Sequence, residues 1–383
     1  MRLHSLQYSE HEDSPQRWVL EELSLGSRNL IVGKNSSGKS RTLNVISSLA
    51  RNLAGLQPPG ISANYDCQFR HNDQSYRYLL RYRDQQVISE ILSIDGEVLL
   101  DRGEGGIGQI FAEQVDGGKP LRFQTPTSEF AAVVRRDAIQ HSFLEPLYRW
   151  ALSLRHYHFG TQLGKDSITI INPNAPKVDD RDEGAVVGIF REAVKTFGDD
   201  FKNTLINDLA LIDYHVTEIG VSTPVSVRFV SMGGEPVGLY VKEKDLPGIT
   251  DQFGMSQGMF RVVSLLIQVN FFQFYKSASC ILIDDIGEGL DFDRSCRLID
   301  LLRSKSDSSG LQIIMSTNDR FVMNNVPLEE WSVLQRKGNH VQVKNYDNSR
   351  EIFEEFKFTG LSNFSFFELG VINEPHTAED SPK

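Results

Sequence analysis

Eight residues near the amino terminus have the types and the spacing of a loop that binds phosphate. Residues 33–40 read GKNSSGKS and satisfy the pattern G-x-x-x-x-G-K-[ST]. Glycines let the backbone bring its N–H groups onto phosphate oxygens, the lysine reaches the β- and γ-phosphates, and the final hydroxyl binds Mg²⁺. The predicted phosphate ligands are Gly33, Asn35, Ser36, Ser37, Gly38, Lys39 and Ser40, of which Ser40 is also a predicted Mg²⁺ ligand.

A strand and a helix are predicted on either side of this loop. Residues 28–32 are mostly apolar and stop at a glycine, which predicts a buried strand. The segment after the loop has apolar residues at Leu43, Ile46 and Leu49, which is helical spacing. A helix that begins at the loop directs its positive end at a bound anion, so this order favours a phosphate site.

A second group of candidate residues follows another apolar strand. Residues 281–291 read ILIDDIGEGLD, so carboxylates appear where the strand ends. Such a strand places a carboxylate beside Mg²⁺. We predict that Asp284 holds the metal through water and that Asp285 orients or deprotonates the attacking water.

The order of these motifs along the chain resembles that of the ABC ATPase superfamily. The phosphate loop is followed by SQGM at 256–259, by ILIDDIGEGLD and by IIMSTND at 313–319. The order is closest to the branch that contains SMC, RecF and OLD-like proteins, and it covers the first fifty or so residues and roughly 250–325. The resemblance implies an α/β head with a mixed sheet core, an antiparallel β-lobe and a helical insertion lobe, which binds ATP and Mg²⁺.

In that family a serine-glycine turn binds the γ-phosphate held by a second subunit. By position, this role falls to Ser256, Gln257 and Gly258, while Asp291 ends a segment that resembles the D-loop. A helix start with small residues is an anion site, yet it cannot reach the phosphate loop of its own head. The resemblance therefore implies a head-to-tail dimer or a higher oligomer.

Two positions depart from the family pattern. Asp285 stands where the family usually has glutamate, and Asn318 stands where it usually has a switch histidine. Aspartate is one methylene shorter, and asparagine cannot take up a proton at neutral pH. We expect both residues to act in catalysis, with slow hydrolysis and ATP serving mainly as a clamp. The glutamine that senses Mg²⁺ in the family is assigned to Gln162, with Gln68 as the alternative.

The remaining sequence predicts how the chain is divided. Alternating segments at about 62–125 predict strands joined by Asp-Gly turns, with a flexible loop at GEGGIGQ. We expect the amino-terminal part of the head with the β-lobe at 1–125 and the helical insertion lobe at 126–215. The carboxyl-terminal part of the head follows at 216–350, and an extension with a polar tail at 351–383.

The overall composition sets limits on location and partners. The net charge of −11 disfavours a protein that coats nucleic acid, although a local basic strip of Arg135, Arg136, Arg149 and Arg155 is an alternative to a solvated helix face. No apolar run is long enough to span a bilayer, and the three cysteines form neither a zinc nor a disulfide pattern. These features favour the cytoplasm, and we expect no membrane partner.

Three further groups have alternative interpretations. His156 and His158 alternate on a predicted strand and form either a metal pair or, more simply, a structural pair. The acidic run 179–183 predicts a mobile loop. The aromatic stretch 353–367 either packs against the sheet or forms a docking site for a partner.

The length between the motifs favours a head without arms. The residues between Ser40 and Ser256 suffice for the two lobes but not for the long coiled coils of SMC proteins, and nothing after residue 350 supplies a Toprim nuclease. The chain thus resembles stand-alone ATPase subunits of prokaryotic antiphage systems, which act with a separate nuclease or toxin. A RecF-like ATPase that clamps DNA is the main alternative, and a transporter subunit ranks lower.

Overall fold

The order of helices and strands along the chain follows the pattern of apolar segments in the sequence. The computed structural model describes residues 1–113, 118–171, 178–227, 234–276 and 280–369. The polar tail from residue 370 on lies outside these residues, as do residues 228–232 of the segment PVSVRFVSM, whose composition predicts a strand at 224–232. None of the helices in these ranges is long and apolar enough to cross a membrane.

The strands are given first, in chain order. They are β1 (Arg2–Glu10), β2 (Trp18–Ser24), β3 (Arg28–Val32), β4 (Ser62–His71), β5 (Gln74–Arg83), β6 (Gln86–Ile94), β7 (Glu97–Arg102), β8 (Ile107–Ala112), β9 (Lys119–Gln124), β10 (Arg155–His158), β11 (Thr169–Ile171), β12 (Val216–Ser222), β13 (Glu235–Glu243), β14 (Thr250–Asp251), β15 (Cys280–Asp284), β16 (Gln312–Ser316), β17 (Trp331–Lys337) and β18 (His340–Asn345).

Helices cover the faces of the sheet. They are α1 (Lys39–Leu53), α2 (Ala131–Val134), α3 (Glu145–Ser153), α4 (Val186–Phe197), α5 (Asp199–Leu211), α6 (Gln257–Tyr275), α7 (Phe292–Ser309), α8 (Arg320–Asn325), α9 (Arg350–Lys357) and α10 (Asn363–Glu368).

One mixed sheet runs through most of the molecule. Within the described ranges it has 14 strands in the order β10-β15-β16-β3-β17-β18-β2-β1-β4-β5-β6-β7-β8-β9. Strands β10, β15, β16, β3 and β17 are parallel, so their carboxyl ends share one edge. Strands β4 to β9 form the antiparallel lobe as a continuation of the same sheet. A smaller sheet joins β11, β13, β12 and β14.

Two hydrophobic clusters cover the two faces of the parallel strands. Leu30 and Val32 belong to the cluster that includes α4 to α7, whereas Ile31 belongs to the cluster that includes α1 and α3. This alternation explains the continuous apolar runs, because a parallel strand between two helical layers is buried on both faces. The mixed α/β fold class predicted from the sequence is therefore observed.

One local expectation differs from the structure, and one predicted strand has a place that the sequence did not indicate. The described residues of the range 126–215 include four α-helices, and the strand predicted at His156 and His158 spans 155–158 and joins the central sheet parallel to β15. The segment GEGGIGQ, predicted as a flexible loop, forms a tight turn and the start of β8. A side chain at Gly106 would meet the carbonyl oxygen of Thr125 at 1.8 Å, so packing fixes this glycine-rich turn.

Candidate nucleotide site

The phosphate loop connects β3 to α1 at the carboxyl edge of the parallel strands. Gly38 has a φ of 106° and Ser36 a φ of 64°, both in the left-handed region. A side chain at Gly33 would lie 2.3 Å from the hydroxyl of Ser37 and 2.9 Å from the carbonyl oxygen of Leu334. Only glycine fits at position 33 because the loop curls tightly there. The tip of the loop, at Asn35 and Ser36, is exposed.

The start of α1 is open to an anion. Its first turn contains no acidic residue, and no side chain caps its amino terminus. Ser40 is exposed in this turn. The hydroxyl of Ser37 is buried and has no hydrogen-bond partner among the described residues. Unpaired N–H groups at a helix start and an orphaned hydroxyl in the loop fit a phosphate group, which accepts such hydrogen bonds.

Lys39 connects the loop with the neighbouring strand. Its side chain is 6% exposed, and its Nζ donates to the carbonyl oxygen of Gly33 at 2.9 Å and to Oδ1 of Asn318 at 2.7 Å. Burial lowers the pKa of Lys39, and the carboxylates of Asp285 and Asp284 act in the opposite direction. The structure thus brings Lys39, Asn318 and the two aspartates together.

The acidic side of the site is built at the end of β15. Asp284 is buried and accepts a hydrogen bond from the hydroxyl of Ser316, and the same hydroxyl accepts from the backbone N–H of Asp285 at 3.0 Å. Burial raises the pKa of Asp285, and the carboxylates of Asp284 and Glu288 raise it further. Sequence reasoning missed Ser316 and Glu288; the polar residue that ends the adjacent strand β16 was the available signal for Ser316.

The described residues contain no group of three or more His, Cys, Asp or Glu side chains that could hold a metal ion. Magnesium beside a nucleotide needs less than that, because it keeps several waters and binds one or two protein groups together with the phosphates. Ser40 and Asp284 would supply oxygens for such a site, and the metal would neutralise charge on the phosphates.

The serine-glycine turn begins α6. Ser256 is exposed and caps the helix, with its Oγ accepting from the N–H of Met259 at 3.1 Å. Gly258 packs against the segment after β15, where a side chain would lie 2.6 Å from the carbonyl oxygen of Gly289. Among the described residues no hydrogen bond joins 256–259 to the phosphate loop. Asp291 caps α7 by accepting from the N–H of Arg294 at 3.0 Å.

The two glutamine candidates lie in different places. Gln162 is exposed in the loop after β10, at the same edge of the sheet as Asp284. The N–H of Phe159, at the start of that loop, donates to the carbonyl oxygen of Asp284 at 2.9 Å. Gln68 lies in the antiparallel strand β4 and pairs with Ser5 and Arg77. Of the two, only Gln162 lies near the acidic side of the site.

Other candidate groups have partners within the chain. His158 contacts Glu183 through both its N–H and its Nδ1, and the rings of His156 and His158 are 4.2 Å apart. The acidic run 179–183 is therefore tied to β10 through Glu183 and is not a free loop. The aromatic stretch buries Phe353, Phe356 and Phe366 against the sheet, whereas Phe358 is 89% exposed.

The predicted basic strip is largely used inside the molecule. Three of its arginines bind other groups of the chain: Arg135 binds the carbonyl oxygen of Gln124, Arg136 pairs with Glu145, and Arg155 pairs with Asp180. Arg149 is exposed. An arginine that is already bound to a carbonyl or a carboxylate contributes less to a DNA surface.

Comparisons with known proteins place this arrangement among solved folds. No protein-family model and no curated protein matches the chain. The structure of an SMC head bound to the C-winged helix domain of ScpA matches with a TM-score of 0.51 at 14% identity, over 90% of this chain and 98% of that one. The SMC head domain from Thermotoga maritima gives a TM-score of 0.45 at 16% identity, over 90% and 99%. The first of these likenesses shows that the mixed sheet, with the phosphate loop at its carboxyl edge, has the fold of an SMC head.

Proposed function

We propose that this protein is an ATP-binding ATPase that hydrolyses ATP slowly and closes head-to-tail on a second copy of itself around the nucleotide. The observation that carries the proposal is the position of Lys39. Its Nζ lies between the curled loop and Asn318. The carboxylates of Asp285 and Asp284 favour the charged form of its ammonium by raising its pKa, against the larger effect of burial. A cation in that place binds the β- and γ-phosphates while Mg²⁺ is held on the acidic side.

The exposed start of α6 supports closure on a second copy. Ser256 has its hydroxyl at the surface of the head, and no hydrogen bond connects its turn with the phosphate loop of the same chain. A second head can present this turn to the γ-phosphate, while Gln162 and Asp284 contact the metal from within the head. The resulting nucleotide site needs residues from two chains.

Slow hydrolysis follows from the two residues that face Lys39. Asp285 carries a carboxylate on a short side chain, and the raised pKa makes it a base that can accept a proton from water. Asn318 can donate a hydrogen bond to the γ-phosphate, but its amide neither takes up nor releases a proton at neutral pH. Many groups of the site therefore bind the triphosphate, whereas few align the water that attacks it, so binding is favoured over hydrolysis.

We further propose that the head serves as a nucleotide-gated scaffold for a separate effector, a nuclease or a toxin, in prokaryotic antiphage defence. The described residues between α1 and α6 form the antiparallel lobe, short helices, strand β10 and a small sheet, and no coiled-coil arm occurs among them. The SMC head of the comparison is bound to a partner protein. The division at 125, 215 and 350 describes the lobes of one head in this proposal.

The DNA-clamp alternative loses support because Arg135, Arg136 and Arg155 have partners within the chain. It predicts ATP-dependent duplex binding that weakens steeply with salt. Co-purification of a nuclease or toxin without DNA would favour the scaffold, and salt-sensitive duplex binding would favour the clamp.

The direct test of nucleotide binding is Lys39→Ala. Loss of the buried ammonium should weaken binding of a fluorescent ATP analogue by a factor of about 100, because charged hydrogen bonds to phosphate are lost. Lys34→Ala is the matched control, since Lys34 is exposed in the same loop. Equal affinity of the Lys39 variant and the unmodified protein would refute the proposed site.

A further inference from the structure

One arginine of α6 connects three separate parts of the candidate site. Arg261 lies five positions after Ser256 and is 8% exposed. Its Nε donates to the carbonyl oxygen of Thr161 at 2.8 Å, its Nη2 to that of Gly160 at 2.7 Å, and its Nη1 to that of Glu288 at 2.9 Å. All three acceptors are main-chain oxygens outside the helix that carries Arg261.

The bonded segments each have a role in the proposed site. Gly160 and Thr161 begin the loop that contains Gln162. Glu288 belongs to residues 285–291, which connect the acidic end of β15 to α7. Arg261 itself follows the turn that starts α6. We call these three segments, 160–162, 285–291 and 256–261, the acidic-side unit.

Neighbouring contacts reinforce the same connection. The Nζ of Lys165 donates to the carbonyl oxygen of Met255 at 2.6 Å, and the Oγ of Ser264 donates to that of Leu163 at 2.9 Å. Gly289, with a φ of 79°, leaves room for the guanidinium, since a side chain there would meet Nη1 of Arg261 at 2.9 Å. The loop after β10 is thus bonded to the start of α6 at several points.

The chemistry of the three bonds requires arginine in particular. The guanidinium presents its donors in a rigid planar fork and can bind carbonyls on two sides at once. An ammonium of the same charge has compact, rotatable donors and cannot span the same acceptors. No salt bridge joins Arg261 to a carboxylate in the described part of the chain. Its charge therefore strengthens the hydrogen bonds to the three carbonyl oxygens.

We propose that Arg261 is a positioning residue that holds the acidic-side unit rigid. Two of its segments, 160–162 and 285–291, lie on the acidic side of the head's own nucleotide pocket. The third contains the turn that the head offers to a second copy. Disturbing Arg261 therefore damages both the site that a head builds and the site that it completes for its partner. This second statement rests on the proposed function, whereas the rigidity itself does not.

Hydrogen exchange tests the rigidity in the full chain without nucleotide. In Arg261→Lys we expect amides of all three segments to exchange about tenfold faster or more, because the charged hydrogen bonds that close them are lost. Arg155→Lys is the matched control: Arg155 is also buried and donates to two carbonyls and Asp180, at the opposite end of β10. Faster exchange confined to α6, or no change, would overturn the proposal.

A second variant guards against failure of Arg261→Lys to fold. Gly289→Ala leaves the arginine in place and crowds its Nη1, so we expect the same three segments to exchange faster. Unchanged exchange in 160–162 in this variant would also count against the unit.

Mixed dimers test the double role. A mixture of Lys39→Ala with Ser256→Glu should retain one complete site, because the first variant lends an intact turn to the intact loop of the second. A mixture of Lys39→Ala with Arg261→Lys should retain none, since the arginine variant also has a damaged acidic side. The readout is the ATP that elutes with the dimer, separate from the monomer, after gel filtration with Mg²⁺.

The outcomes separate the two proposals. Retention by the arginine mixture equal to that by the Ser256 mixture would show that Arg261 acts on the turn alone and would overturn the double role. Failure of the Ser256 mixture to retain ATP would instead refute the two-chain site, and hydrogen exchange would still decide whether the unit is rigid.

Discussion

Asp285 is the residue on which the rate of the proposed reaction depends most. Its carboxylate lies at the end of β15, next to Asp284 and within electrostatic reach of Lys39. A misplacement of about 1 Å in the reacting groups can cost about 100-fold in rate, and one methylene changes the reach of the carboxylate by about that much. In the proposed reaction, the identity of this acid therefore determines whether ATP is hydrolysed slowly, as in a nucleotide clamp, or rapidly.

Asp285→Glu should therefore increase ATP hydrolysis. The longer side chain restores the acid of the family pattern that the sequence resembles, and we expect a gain of about tenfold, or about 1.4 kcal/mol of activation free energy. Asp293→Glu makes the same change at an exposed acid of α7 and should have no effect. Phosphate release under single-turnover conditions measures both; a slower Asp285 variant would contradict the assignment.

His156 predicts how stability depends on pH. Burial lowers its pKa to about 4, and the unfolded chain has a histidine pKa of about 6.5. As the pH falls from 6.5 to 4, the unfolded state binds a proton that the folded state does not, so the free energy of unfolding falls by about 3 kcal/mol. The raised pKa of His158, caused first by its hydrogen bond to Glu183, acts in the opposite direction.

His156→Gln should flatten this dependence, since glutamine takes up no proton. Urea unfolding between pH 4.5 and 7 measures it, and the variant should lose less stability on acidification than the unmodified protein. His158→Gln is the comparison, because it removes the opposing contribution. Equal slopes for His156→Gln and the unmodified protein would contradict the burial of this ring.

At the scale of elements, helix α6 connects the surface of the head with its core. The Ser256 that caps it is exposed, whereas Gly258 to Phe272 are buried, with α4 and α5 packed against the helix. The close approach at Gly258 fixes where the helix starts relative to residues 285–291. The position of the turn is therefore set by packing against residues 285–291.

Gly258→Ala tests that packing. The added Cβ would lie 2.6 Å from the carbonyl oxygen of Gly289. A backbone oxygen cannot rotate away, so we expect a loss of about 1–3 kcal/mol, larger than the ~1 kcal/mol that alanine gains in a helix. Gly254→Ala is the control, since its nearest neighbours are 3.5 Å away. Denaturant unfolding compares them; a more stable Gly258 variant would refute the contact.

At the scale of the whole molecule, the sequence predicts what local chemistry determines. The phosphate loop, the acidic strand end and the turn before α6 can be recognised because each needs particular residue types at short spacing. The continuous apolar runs of β3, β15 and β16 likewise predict a buried sheet. These features are sufficient for the fold class and for the order of the motifs.

Contacts between distant segments could not be predicted in the same way. The segment 155–158 is too short for its periodicity to indicate which strand it joins, so its place beside β15 was missed. Arg261 gave no signal because a single arginine in an apolar helix does not indicate acceptors about 100 residues earlier. The continuous sheet also depends on pairings between distant strands, which one sequence does not specify.

The central claim is that two copies complete each nucleotide site, and sedimentation velocity tests it most directly. With ATP and Mg²⁺ the unmodified protein should shift from monomer to dimer. Ser256→Glu places a negative charge opposite the γ-phosphate, so this variant should bind one ATP per chain and remain a monomer, and Lys39→Ala should neither bind nor associate. Dimerisation of the Ser256 variant equal to that of the unmodified protein, or no ATP-dependent dimer at all, would contradict the account.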